Sequence, residues 1–275
     1  MFLRWWRDRR RRALAAEPFP AEWLAIVRAN CRHFAMLSEA EQTHLLRDTR
    51  WFLEEKTIEA AVGLTSSDEI RVTIAVQASL LGLGFAEPPF DRVMTIFVQA
   101  ESYTGKKVYR ESSGLELHSD EQRLGEAWRN GPIVLSWRDI LQQCRESPDG
   151  RNVVLHEFAH VLDMANHDVD GVPPLDNEQQ YRTWLEVTGA EYQRLVRQSQ
   201  LGRQTLLDEY GATSPAEFFT VATESFFEQP VEMSRLHVRL YDVLRAFYKQ
   251  DPASRVIMNS QQTCSVSGLD DNAAT

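Results

Sequence analysis

Long hydrophobic runs are missing from this sequence: no apolar stretch approaches the roughly 18 to 20 residues that a bilayer-spanning helix needs, so no transmembrane segment is expected. Cysteine is scarce. Cys31, Cys144 and Cys264 are odd in number and widely scattered, and without a Cys-x-x-Cys pair they offer neither a thiolate metal site nor a dithiol redox centre. A reducing compartment suits such a chain. Positive charge is in deficit, with 30 Lys and Arg against 40 Asp and Glu and a net charge of −10. That balance argues against direct capture of nucleic acid by an overall field, because a phosphate backbone is met by clustered Lys and Arg. The opening MFLRWWRDRRRRALAAEPFP has the basic part of a secretory signal but lacks the apolar stretch of about 7 to 15 residues that should follow it, so the expected location is cytoplasmic. What is present is ordinary globular material. With 43% hydrophobic and 25% charged residues, 275 residues suffice for one large domain, or for one domain with a helical extension.

Turn signals and changes of period divide the chain without revealing an internal repeat. Residues 1–20 read as a basic, aromatic arm in which Phe2, Leu3, Trp5 and Trp6 stand beside Arg9 to Arg12. The arm either packs its aromatics on the body or touches a membrane surface or an acidic partner. Residues 21–90 read as a helical N-terminal part, with helical period over 22–33, 38–55 and 68–83 and a Ser-x-x-Glu capping box at Ser38 and Glu41. Strand candidates follow at 93–100, 107–110 and 133–137, from which a small mixed or antiparallel sheet is expected. Helical period then returns over 153–165, 177–200, 215–227 and 233–250. Strands followed by a run of helices predict an α+β fold, with residues 91–255 as the domain that carries the chemistry. Residues 256–275 are small and polar and predict a mobile tail.

The chemistry centres on VVLHEFAHVLDMAN, residues 153–166. At about 100° per residue, His156 and His160 share one helical face with Glu157 at its edge, while Val153, Val154, Leu155, Phe158, Ala159, Val161 and Leu162 occupy the rest. A buried helix thus opens one polar window. Two imidazoles on successive turns suit a catalytic zinc, and the carboxylate beside the first can take a proton from water activated there. Buried imidazoles and a buried carboxylate cost several kcal/mol without a metal or partners, which weighs against a chance polar stripe.

Such a zinc wants a third protein ligand. The spacing of one zinc-peptidase pattern, a Gly three residues after the second His and a third His six after it, is not met. Those places hold Asp163 and Asn166, and His167 comes one residue late, as a loop residue. The alternative is a Glu on a later helix. Ser214 can cap a helix with Pro215 in its first position, and Glu217 and Glu224 then lie on one face, one heptad apart. Glu217 alone would also serve as a capping-box carboxylate, and Glu224 as a salt-bridged or supporting residue. Both cannot bind one ion at about 2 Å, because seven residues span about 10.5 Å of helix.

VVLHEFAHVLDM, the loop with Gly171-x-Pro173-Pro174, and Tyr210-Gly211 followed by Pro215-Ala216-Glu217-Phe218-Phe219 together resemble the Mlc titration factor A family of bacterial metallopeptidases. More distantly the chain is similar to the anthrax lethal factor catalytic domain. The match is specific over about 150–230, and Gly131 to Trp137 also resembles the family. The resemblance implies a zincin-like fold of gluzincin type with one Zn2+ per chain, His156, His160 and Glu217 as metal ligands, Glu157 as general base, and Tyr210 facing the metal to hydrogen-bond the developing oxyanion. It further implies aminopeptidase-like cleavage of a peptide substrate, a cytoplasmic location and binding to the Mlc glucose repressor. Residues 132–137 are placed near the sheet edge that would pair with an extended substrate, with a packed central strand as the competing reading. A rival reading is a non-catalytic repressor-sequestering protein whose zinc serves structure alone. The intact Glu157 speaks against it, since a structural zinc needs no base beside its ligand.

Overall fold

The computed structural model describes residues 2–101, 109–110, 116–117, 133–145 and 149–260. The chain opens with helices α1 (Phe2–Ala15) and α2 (Ala21–Asn30), a 3-10 turn at Arg32–Met36, and α3 (Glu39–Glu55). Strand β1 (Thr57–Ala60) and helix α4 (Asp68–Gly82) lead to β2 (Thr95–Gln99), the short pair β3 (Tyr109–Arg110) and β4 (Glu116–Leu117), and β5 (Ile133–Ser136). Helices α5 (Trp137–Arg145), α6 (Val153–Asp163), α7 (Glu178–Gln200), α8 (Pro215–Glu228), α9 (Pro230–Leu236) and α10 (Val238–Tyr248) follow, and residues 252–260 form a last helix.

The α+β class stands, but the sheet differs from the expected mixed or antiparallel one. Its three strands run in the order β1-β2-β5 and all pair in parallel, with Ile58 opposite Ile96 and Ile96 opposite Ile133. Only the two-residue β3-β4 pair is antiparallel among the described residues. The reason is the crossover. Parallel neighbours need a long connection, and α4 supplies it between β1 and β2. Its sequence DEIRVTIAVQASLLG is apolar on nearly every side, and Ile70 and all residues from Val72 to Gly82 are buried, as an all-round apolar helix must be.

Strand β1 lies inside the stretch that reads as purely helical. Four residues with alternating exposure, one of them Glu59, give little period to detect. The ends of other elements also shift. The capping box of α3 forms as expected, with Ser38 and Glu41 each accepting the other's backbone N–H. The single helix expected over 233–250 is broken at His237, whose backbone (φ −132°, ψ 51°) leaves the helical region and whose Nδ1 lies 2.8 Å from Glu191 Oε2. Residues 256–260, expected in the polar tail, continue the last helix, where Arg255 pairs with Glu41 at 2.6 Å and Asn259 Nδ2 donates to Met36 O at 3.2 Å. Lys107, Gly131, Pro132, Cys264 and residues 261–275 lie outside the described residues.

The N-terminal arm is a helix that docks by its charge. Arg11 is buried, donating to both carboxylate oxygens of Glu55 at 2.6 and 2.8 Å and to Glu87 at 3.0 Å, with its guanidinium 4.9 Å above the Trp51 ring. Trp5 and Trp6 are about half exposed. One core runs through the described chain. Phe158 of α6 meets Phe52 of α3 and Phe90 at ring distances of 5.6 and 4.9 Å, and α8 stacks Phe226 on Tyr248 and sets Phe227 edge-on to it.

Candidate metal centre

Two helix starts aim the site. Asn152 caps α6 by accepting from Leu155 N–H at 3.1 Å, and the burial of Val154, Leu155, Phe158, Ala159 and Leu162 fixes the helix's rotation. His156 and His160 are left side by side, ring centroids 5.0 Å apart. Ser214 caps α8 by accepting from Glu217 N–H at 3.2 Å, with Pro215 pre-set in the first turn. This places Glu217 in the turn facing α6. Its Oε2 lies 3.1 Å from His156 Nε2 and 3.4 Å from His160 Nε2. One ligand atom from each of the three residues falls within 4.8 Å of the others.

The three groups fit a zinc ion. Ligands about 2.0 to 2.1 Å from a tetrahedral metal stand roughly 3.4 Å apart, close to the two separations seen. The donor set, two imidazole nitrogens and one carboxylate oxygen, leaves a fourth position for water or substrate. Glu157, next in the chain to His156, adds a buried Oε2 with no hydrogen-bond partner among the described residues. Charges respond to this crowding. Burial opposes protonation of His156, but hydrogen bonds to Glu217 and Glu224 outweigh it and raise the imidazole to about 10. Burial likewise pushes Glu217 up, yet the bonds to His156 and His160 hold it far below the ordinary carboxylate range.

Around this centre the structure gathers a supporting layer. Glu224 Oε2 accepts from His156 Nδ1 at 2.9 Å, which leaves Nε2 free to face Glu217. The other oxygen of Glu224 accepts from Asn152 N–H at 2.7 Å. Thr220 Oγ1 lies 3.3 Å from His156 Nε2 and donates to Glu217 O at 2.9 Å. Tyr210 sits in a 3-10 turn (Glu209–Ala212), half exposed, its ring centroid 6.1 Å from that of His156. Asp208 holds that turn by accepting from Tyr210 N–H at 2.9 Å and from Arg151 Nε at 2.8 Å.

Of the residues singled out in the sequence, His156, His160, Glu157, Glu217, Glu224 and Tyr210 all come to this one region. His167 does not join the ligand set. It takes a left-handed backbone with φ of 80° after the 3-10 turn Met164–Asn166, and its Nε2 faces Arg92 at 3.4 Å. Asp163 is fully buried, and burial pushes its carboxyl up to about 6 against the opposing pull of the Gly171 and Val172 backbone N–H groups and of His160. Asn166 spends its amide on Val172 O at 2.7 Å. Strand β5 is at the edge of the three-stranded sheet among the described residues and touches α6. Sequence reasoning missed Asn152 and the Arg151–Asp208 pair, and gave no role to Thr220, which shares the helical face of Glu217 and Glu224. Asn152 carried a signal, an Asn just before an apolar helical run; Arg151 and Asp208 carried none.

Comparison with known proteins adds a second line of observation. The sequence profile described as glucose-regulated metallo-peptidase M90 matches residues 3–249. An uncharacterized protein of Synechocystis is 36% identical over 248 residues, covering 90% of each chain. Proteins named Mlc titration factor A are also similar. That of Serratia proteamaculans is 30% identical over 80% of this chain and 84% of its own, and that of Cronobacter sakazakii is 28% identical over 97% and 98%.

Proposed function

This chain belongs to the glucose-regulated metallo-peptidase M90 family, and on that premise we propose that it is a zinc-dependent peptidase of zincin-like fold that also binds an Mlc-type transcription repressor. The observation that carries the peptidase reading is the convergence of His156 Nε2, His160 Nε2 and Glu217 Oε2 beside a buried, unpartnered Glu157 oxygen. A zinc ion bound there supplies Lewis acidity, polarising a peptide carbonyl and lowering the pKa of water toward neutrality.

The chain's own groups do the rest. His156 presents Nε2 to the ion because Glu224 holds its Nδ1–H, a fixed tautomer of the kind outer partners impose on metal-binding histidines. Glu157 takes the proton of the attacking water and returns it to the leaving amine. The Tyr210 hydroxyl donates a hydrogen bond to the oxyanion as charge develops, held in place by Asp208 and Arg151. An extended peptide would lie along β5, whose outer edge faces no other strand among the described residues. Aminopeptidase-like cleavage in the cytoplasm is the finer reading, in keeping with Cys31 and Cys144 as free thiols.

Repressor binding rests on the names of the relatives, not on the site. The experiment that tests the peptidase reading is zinc analysis with a peptide-cleavage screen on wild type and Glu157→Gln. We expect about one zinc per chain in both and a loss of turnover of about 100-fold or more in the variant. Cleavage by the variant at the wild-type rate would remove Glu157 from the role of base.

A further inference from the structure

A chain of buried polar groups runs outward from the candidate centre to the N-terminal part of the molecule. Glu228 lies one turn beyond Glu224 on α8, and its side chain has no exposed surface. Its Oε1 accepts from Asn152 Nδ2 at 2.8 Å and lies 3.2 Å from His33 Nε2, while Arg32 Nη2 stands 2.7 Å from the other oxygen. Both partners come from the 3-10 turn that follows α2, almost two hundred residues earlier in the chain.

Asn152 is the junction. Its Oδ1 caps α6, its backbone N–H goes to Glu224, and its Nδ2 goes to Glu228, so all three groups are committed to this region. The carbonyl begins the helix by accepting from His156 N–H at 2.9 Å. The amide orientation is thereby set: only Nδ2 can face a carboxylate while Oδ1 accepts from the helix. Burial would favour a neutral Glu228, but His33 and Arg32, together with Asn152, hold it ionised. A turn of the N-terminal part therefore supplies the positive charge that keeps an acceptor in place for Asn152.

Resting on the peptidase reading above, we infer that Glu228 is a positioning residue for the metal centre: anchored by Arg32 and His33, it fixes Asn152, and through Asn152 it fixes both the start of α6 and the Glu224 carboxylate that orients His156. Glu228 touches no substrate and no ligand atom. Its contribution is the aim of His156 Nε2. Loss of an outer partner of this kind typically lowers metal affinity by about 10- to 100-fold.

The test uses the full chain and the variants Glu228→Ala, Glu228→Gln and Asn152→Ser. Ala removes the acceptor. Gln keeps an oxygen for Asn152 Nδ2 but drops the charge. Ser retains a cap for α6 and the backbone N–H to Glu224 but cuts the link to Glu228. Zinc affinity is read by chelator competition, and the His156 Nδ1–H···Glu224 bond by its downfield proton resonance in metal-free protein. Expected are an affinity loss of about tenfold in Glu228→Ala and in Asn152→Ser, weakening or loss of the resonance in both, and recovery of most of the affinity in Glu228→Gln. The two losses should not add in the double variant, because one link is cut twice. If Glu228→Ala does not fold, Asn152→Ser decides alone. Wild-type affinity and an unchanged resonance in Asn152→Ser, or in a folded Glu228→Ala whatever its melting temperature, would make Glu228 a stabilising residue only. If the wild type itself binds no zinc, the peptidase reading fails, and the resonance of metal-free protein still decides the role of Glu228.

Discussion

At the scale of single residues, Glu217 and Glu224 show how one helix face can divide two chemically identical groups. Glu217 in the first turn of α8 meets both imidazole Nε2 atoms, whereas Glu224 two turns on meets His156 at Nδ1 and the Asn152 N–H. Replacing Glu217 by Ala should therefore abolish most zinc affinity, while Glu224→Ala should cost about 10- to 100-fold, as measured by zinc titration against a chelator. The reverse order would make Glu224 the ligand. Protons compete for the same site. With burial overcome by Glu217 and Glu224, metal-free His156 holds its proton up to about pH 10, so a proton must leave before Nε2 can bind a metal. Zinc affinity should rise by up to tenfold per pH unit between pH 6 and 8. A flat profile would mean that His156 is already neutral in the metal-free chain.

Whole elements are held by contacts that a single backbone position can break. Gly171 sits in the loop between α6 and α7 with φ of 77°, and its carbonyl accepts from Trp184 Nε1 at 3.0 Å. A Cβ there would stand 2.3 Å from Pro215 O, the backbone of the first turn of α8. Gly171→Ala thus combines a left-handed backbone with a collision against the very turn that presents Glu217. We expect a loss of about 2 kcal/mol or more in thermal or denaturant unfolding, with weaker zinc binding. Unchanged stability would show that the loop can retreat from α8 at no cost.

At the scale of the molecule, the N-terminal part and the chemistry-bearing part are built into one another. Strand β1 pairs with β2, Phe52 packs on Phe158 of α6, and Arg32 with His33 reaches Glu228. The first helix is attached differently, through Arg11 on Glu55 and Glu87 and through Arg7 on Asp91, with Trp5 and Trp6 facing outward. Charge-mediated docking of this kind depends on Arg11, which is buried. Arg11→Ala should cost about 1.5 to 3 kcal/mol of local attachment and speed proteolytic cleavage within residues 1–20 several-fold, with the rates of cleavage elsewhere unchanged. A digestion pattern identical to wild type would show that α1 is held by other contacts.

The sequence by itself determined what local periodicity and capping can carry. The face shared by His156 and His160, the capping box at Ser38 and Glu41, and the Ser214-Pro215 start that places Glu217 are set within a few residues of chain, and each is found where the spacing puts it. Tertiary structure decided what depends on distant partners. The parallel order of the sheet follows from burying α4 as a crossover, and β1 is a strand only because β2 lies beside it. His237 leaves the helix because Glu191 of α7 holds it, and the acid of Glu228 is stable in the interior only because Arg32 and His33 arrive from the other end of the chain. A helical face can be read from one segment, since it repeats every few residues; the partner of a buried charge cannot, because it is chosen by packing.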